Sequence, residues 1–235
     1  MYYNNKFRNR TSIRHNGNGF GSKFSRPSRP SGRTGFGGNQ RKSQLEGADI
    51  NMFIRKAVPI ANGVTFNDIS FDDFDIAQNL KINIKNHGYT KPTPIQAQAI
   101  QPILDGRDVI GLASTGTGKT AAFLIPLLDK IYKNHSQKAL IIVPTRELAI
   151  QINDEFKSFS KNMNIYSALI IGGANMNRQI QDIRRNANIV IATPGRLTDL
   201  IERRQIYLED YANIVLDEVD LMVDIGFIND VKYFI

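Results

Sequence analysis

The stretch "DVIGLASTGTGKTAAFLIPLL", residues 108–128, decides how the chain is to be read. Its first part, "DVIGLA" (108–113), is a short apolar run of the kind that forms a buried strand. Its middle, "ASTGTGKT" (113–120), fits the phosphate-loop pattern with Ala113 in place of the first glycine. Its last part begins a helix at Lys119. Gly116 and Gly118 let the backbone N–H groups of a loop completed by Ser114, Thr115 and Thr117 close around phosphate oxygens. The helix start aims its positive dipole end at the same point. Lys119 supplies a point charge to β- and γ-phosphates, and the Thr120 hydroxyl suits magnesium. A Gly-rich turn before an ordinary helix would look similar, but the strand before and the helix after argue for the phosphate loop.

Outward from this stretch the same alternation continues. Further strands are expected at "ALIIVP" (139–144), "IYSALIIG" (165–172), "NIVIAT" (188–193) and "NIVLD" (213–217), with helices near 119–132, 146–161, 175–186 and 195–204. Continuous β-branched runs alternating with helices indicate an α/β fold, a doubly wound parallel sheet covered on both faces. In such sheets ligands collect at the carboxyl ends of the strands. "NIVLDEVDLMVDIGF" (213–227) places three carboxylates there. Beside a phosphate loop, Asp217 is expected to hold magnesium, through water, and Glu218 to polarise an attacking water. Without the loop, a solvated acidic turn would be the simpler reading.

Charge divides the chain. It has 30 Lys and Arg against 22 Asp and Glu, a formal net charge of +8. Residues 1–42 hold ten of the basic residues and no acid, so the remaining 193 residues carry 20 basic and 22 acidic side chains. Residues 1–45 are low-complexity and rich in Arg, Gly, Ser and Asn, with too few aliphatic residues for a core; a disordered tail is expected. Arg in the tail can meet phosphates while Tyr2, Tyr3, Phe7, Phe20, Phe24 and Phe36 stack on bases; a solubilising extension is the plainer alternative. Residues 46–65 read as a short helical flank and linker, with Ile50, Phe53, Ile54 and Ala57 at helical spacing before Pro59. With no cysteine, disulfides and thiolate metal sites are excluded. No apolar run approaches the ~18 residues of a membrane span, and the N-terminus has no signal-peptide core. The tail shares its Arg and Ser content with transit peptides but lacks an apolar helical stripe, so a cytoplasmic protein is expected.

Taken with their order, the motifs of residues 66–235 resemble the N-terminal RecA-like domain of the DEAD-box ATP-dependent RNA helicases. "FDDFDIAQNLKINIKNHGYTKPTPIQ" (71–96) is similar to that family's adenine-sensing Q motif. The resemblance implies that Gln96 reads the adenine edge, that Tyr89 stacks on the ring, and that Phe71 is the upstream aromatic of the ATP site. "PTRELA" (144–149), "GG" (172–173) and "TPGR" (193–196) resemble its RNA-facing motifs. They imply backbone-directed RNA contacts from Pro144, Thr145, Arg146, Gly172, Gly173, Thr193, Pro194, Gly195 and Arg196. Asp220 is implied to couple the ATP site to a second domain. The implied cofactors are ATP and Mg2+. The implied partner is RNA, as a single strand or short duplex without sequence preference, with ribonucleoprotein or ribosomal assembly partners compatible and no membrane.

Two departures stand out. The acidic box reads DEVD, which keeps every carboxylate. The chain also stops at Ile235, before the family's Ser-Ala-Thr motif and second RecA-like domain, so the sheet is expected to lack its last strand. That second domain carries the arginine fingers, whose loss costs roughly 10³–10⁵ in rate. The 235-residue chain alone is therefore expected to hydrolyse ATP hardly at all. The alternatives are a non-catalytic RNA-binding protein or a different phosphate-loop translocase; Gln96 within "PTPIQ" speaks against the latter.

Overall fold

The computed structural model of the chain describes residues 2–4 and 69–234. The expected tail beyond Asn4 and the expected helix over 50–57 lie outside the described residues. Six strands form one sheet: β1 (Tyr2–Asn4), β2 (Val109–Ile110), β3 (Ala139–Ile142), β4 (Ser167–Ile170), β5 (Ile189–Ala192) and β6 (Asn213–Leu216). Eight α-helices accompany them among the described residues: α1 (Gln78–Asn86), α2 (Pro94–Leu104), α3 (Lys119–Lys133), α4 (Arg146–Phe159), α5 (Met176–Arg184), α6 (Pro194–Glu202), α7 (Val219–Asp224) and α8 (Ile228–Phe234).

The strand order is β2-β1-β6-β3-β5-β4. β3, β4, β5 and β6 are parallel, with Ala139 opposite Ile189 and Asn213, and Ser167 opposite Ile189. Every residue of β3 and β5 is buried, as expected for parallel strands covered on both faces. Side-chain alternation sorts the strands between two cores. Ala139, Ile141, Ile189, Ile191 and Val215 join the cluster under α1 to α4, centred on Phe123, Phe156 and Phe159. Leu140, Ile142, Val190, Ala192 and Leu216 join the cluster under α6 and α8, with Leu197, Leu200 and Phe234. The doubly wound reading therefore holds, and each parallel strand sits within two residues of its expected span.

α3 is the most buried helix, with Ala121 through Asp129 all inside. Asp129 is a buried carboxylate there. Its Oδ1 accepts from Ala77 N at 2.8 Å and its Oδ2 pairs with Lys133 Nζ at 2.9 Å, so it pins the chain entering α1 onto α3. Asn83 of α1 donates to the carbonyls of Phe159 and Lys161 at 2.7 and 2.8 Å. These long-range bonds attach α1 to α3 and to the end of α4.

Two strands differ from expectation: β2 keeps only Val109–Ile110 of the expected 108–113 and pairs antiparallel with β1. The place between β2 and β6 is filled by β1, antiparallel to both, with Tyr2 opposite Ile110 and Leu216. Tyr2 and Tyr3, read from sequence as tail aromatics, thus contribute backbone to the sheet. Three residues suffice because both neighbouring edges offer unpaired N–H and C=O groups.

Candidate functional site

The carboxyl ends of the strands carry two groups of residues. At the end of β2, the loop Ala113–Gly118 turns into α3 with Gly116 at φ +77° and Gly118 at φ +88°, a left-handed geometry that glycine adopts without strain. Lys119 Nζ donates to Ala113 O at 2.8 Å and Thr117 Oγ1 to Ser114 O at 2.7 Å, so the loop is closed on itself. Ser114, Thr115 and Gly116 are exposed, and Thr120 lies in the first turn of α3. The loop therefore stands at the N-terminus of a 15-residue helix, a position suited to an anion.

At the end of β6, Asp217 is 3% exposed. Its backbone N–H donates to Ile142 O at 3.0 Å and its Oδ1 accepts from Glu218 N at 3.1 Å. Burial holds the Asp217 carboxyl above the usual carboxylate range, and the charge of Lys119 opposes that rise. A buried carboxylate whose ionised form is short of compensation is poised to gain from a cation. Glu218 has φ +51° and occupies the N-cap position of α7, a strained conformation for a non-glycine residue. Asp220 is exposed. Among the described residues no group of three or more acids and histidines could hold a metal ion unaided. The donor set of Thr120, Asp217 and the loop N–H groups fits a nucleotide phosphate with magnesium.

The segment 71–96 reaches this loop. Gln96, 1% exposed, accepts from Thr93 N at 2.9 Å and donates to Gly118 O at 3.1 Å. A Cβ on Gly118 would collide with Gln96 Nε2. The amide expected to read adenine thus braces the phosphate loop here. Tyr89 Oη donates to Glu155 Oε1 at 3.2 Å. Burial, then the charge of Glu155, push the Tyr89 phenol up to about 12, so the ring stays neutral. Phe71, the upstream aromatic, is 5% exposed and stacked against Tyr89 with centroids 6.2 Å apart. It backs the tyrosine because an apolar ring gains more from the core than a phenol that needs a polar partner.

Glu155 offers a pH test of this arrangement. Burial raises its pKa; the Tyr89 hydrogen bond and His87 lower it, and Asp217 raises it. A raised folded-state pKa favours the protonated form, so stability present below the unfolded value of about 4.3 is lost as pH rises through the folded one. Glu155→Gln is therefore expected to raise the urea midpoint at pH 8, with the gain vanishing at pH 4. An equal change at both pH values would contradict this placement.

The second group lies at the ends of β3, β4 and β5. Pro144, Thr145, Arg146, Gly172, Thr193, Gly195 and Arg196 line one cleft together with Glu147 and Phe227. Gly173 adjoins it, and Pro194 opens α6. Thr145 Oγ1 accepts from Leu148 N at 3.2 Å and so caps α4. Arg146 lies across the two glycines: a Cβ on Gly172 would sit 3.0 Å from its Nη2, and one on Gly173 would collide with its Nη1. Sequence reasoning missed Phe227, which follows the left-handed Gly226; an aromatic after a glycine just past an acidic box is a weak signal. It also missed Gln179, buried behind Arg196. Seven of the nine residues expected to face RNA thus line one cleft, beside the strand ends that carry the phosphate loop and Asp217.

The sequence model of the DEAD/DEAH box helicase family matches residues 93–235. The chain is 40% identical over 171 residues to the DEAD-box ATP-dependent RNA helicase RhpA of Helicobacter pylori (strain ATCC 700392 / 26695), covering 73% of this chain and 35% of the relative. It is 45% identical over 165 residues to CshA, a DEAD-box ATP-dependent RNA helicase of Bacillus subtilis (strain 168), covering 70% and 33%. Among solved structures, a DEAD box protein from the hyperthermophile Methanococcus jannaschii superposes with a TM-score of 0.66 at 41% identity, over 69% of this chain and 45% of that one. The chain spans about a third of the length of the curated relatives it matches.

Proposed function

Since the chain belongs to the DEAD/DEAH box helicase family, we propose that it is the ATP-binding and part of the RNA-binding machinery of an ATP-dependent RNA helicase. The observation that carries this reading is the shared sheet edge. The phosphate loop and the buried Asp217, whose carboxyl feels the charge of Lys119, lie beside a cleft lined by Arg146 and Arg196.

On this reading Gly116, Gly118 and the α3 N-terminus hold the phosphates through backbone N–H groups, and Lys119 leaves Ala113 O to meet the β- and γ-phosphates. Thr120 and Asp217 would hold magnesium, which supplies charge neutralisation at the phosphates when bound. Glu218 orients and polarises the attacking water. Gln96 exchanges Gly118 O for the adenine edge, where an amide's paired donor and acceptor select adenine over guanine. Tyr89 offers its ring to the base. Asp220, exposed on α7, is assigned to communication with a second domain, whose closure over ATP and RNA supplies full turnover and local unwinding.

In the cleft, Arg146 and Arg196 give charge, while the turns at 144–145, 172–173 and 193–195 give backbone N–H groups. Such contacts grip a sugar-phosphate strand without reading sequence. Arg146→Ala is expected to weaken a fluorescein-labelled oligouridylate by about tenfold, and to flatten the salt dependence by about one unit. Fluorescence anisotropy at several salt concentrations measures both; unchanged affinity would place the RNA elsewhere.

A further inference from the structure

Behind the cleft sits a polar side chain to which the motifs give no role. Gln179, in the second turn of α5, is 4% exposed. Its Nε2 donates to Ile171 O at 2.9 Å, and its Oε1 accepts from Arg196 Nη1 at 3.0 Å. The orientation of the amide follows from its partners: a carbonyl only accepts and a guanidinium only donates. Arg196 Nη1 donates a second bond to Ala174 O at 3.2 Å. Ile171 and Ala174 flank Gly172–Gly173, so one Gln–Arg unit fastens both ends of the glycine loop while Arg146 lies across it.

The consequence for Arg196 is specific. Its side chain is 13% exposed, and its Asp199 contact, Nε to Oδ2, is long at 3.9 Å. Both protons of Nη1 are committed to Gln179 and Ala174, which leaves Nη2 and Nε as donors. A guanidinium held this way is preorganised, so less side-chain entropy is lost when it binds a phosphate. Asparagine at 179 would be too short to span both partners, and glutamate would set an acceptor against Ile171 O. Glutamine supplies one donor and one acceptor where each is needed.

We infer that Gln179 is a positioning residue for the cleft: it sets Arg196 and the Gly172–Gly173 loop for a phosphate of the bound strand, and affects RNA only through Arg196. The inference rests on the RNA reading of the cleft given above. A merely structural role would lower stability without touching the salt dependence of binding.

The test is a double-mutant cycle in the 235-residue chain with a fluorescein-labelled oligouridylate. Gln179→Met keeps the volume and removes both hydrogen bonds. It is expected to weaken RNA binding about five- to tenfold, with Arg196→Ala about tenfold. Each should lower the salt slope by about one. The double variant should match Arg196→Ala within about twofold, because coupled residues do not add. ATP affinity, whose residues lie in the other group, should be unchanged and serves as the folding control.

Equal losses from Gln179→Met in the wild-type and Arg196→Ala backgrounds would overturn the inference. So would a full Arg196→Ala loss with none from Gln179→Met. If Arg196→Ala itself leaves RNA binding unchanged, the RNA reading of the cleft falls and takes the inference with it.

Discussion

Lys119→Ala is expected to lower ATP affinity about 100-fold while leaving the fold and RNA binding intact. Lys119 Nζ rests on Ala113 O at 2.8 Å, a partly solvated carbonyl that water can serve once the ammonium is gone. Stability should therefore change little. In the complex the ammonium makes charge-assisted bonds to two phosphates, each worth about 1.5–3 kcal/mol. Losing about 2.7 kcal/mol corresponds to a factor of 100. Isothermal titration with ATP and magnesium, beside a thermal melt, measures both parts. A protein that only binds RNA would show no Lys119-dependent nucleotide binding.

Asp217→Asn should move binding and stability in opposite directions. Burial is the main cause holding the Asp217 carboxyl above its usual range, with Lys119 opposing. The ionised side chain thus costs stability at neutral pH, by the same sign as Glu155: the favourable protonated form is lost as pH rises through the folded value. The amide variant escapes that cost and is expected to melt a few degrees higher at pH 7.5. It also loses the charge that holds magnesium through water, and the magnesium-dependent part of ATP affinity should fall about 10–100-fold, as for groups that support a metal at one remove. A lower melting point with magnesium dependence retained would contradict both roles.

How far the fold could be read beforehand depended on how local its signals are. The strands "ALII" and "IVIA" are continuous apolar runs, and the helices between them start at Thr145, Asn175 and Thr193, cap residues visible in the sequence. The phosphate loop needs only eight contiguous residues. β1 was not legible, because a polar, tyrosine-led tripeptide has no strand period and its pairing partners lie far away in sequence. The burial of Phe71 was hidden for the opposite reason: an aromatic ahead of a nucleotide motif suits stacking and core packing equally well. Gln179 escaped notice because "MNRQIQDIR" looks like a solvated helix. Only the convergence of β4, α5 and α6 buries that amide and gives it two partners. Gln96 was found, but its bond to Gly118 O could not be, since that contact joins two motifs brought together by the packing of α2 against α3.

Two neighbouring sites are proposed at one sheet edge, and hydrogen exchange with ligands tests that most directly. With ATP and magnesium, slowed exchange is predicted at residues 113–120 and 217–218; with oligouridylate, at 144–148, 172–175 and 193–196. Protection of the arginine cleft by ATP alone, or RNA protection that leaves 172–175 and 193–196 unchanged, would contradict it.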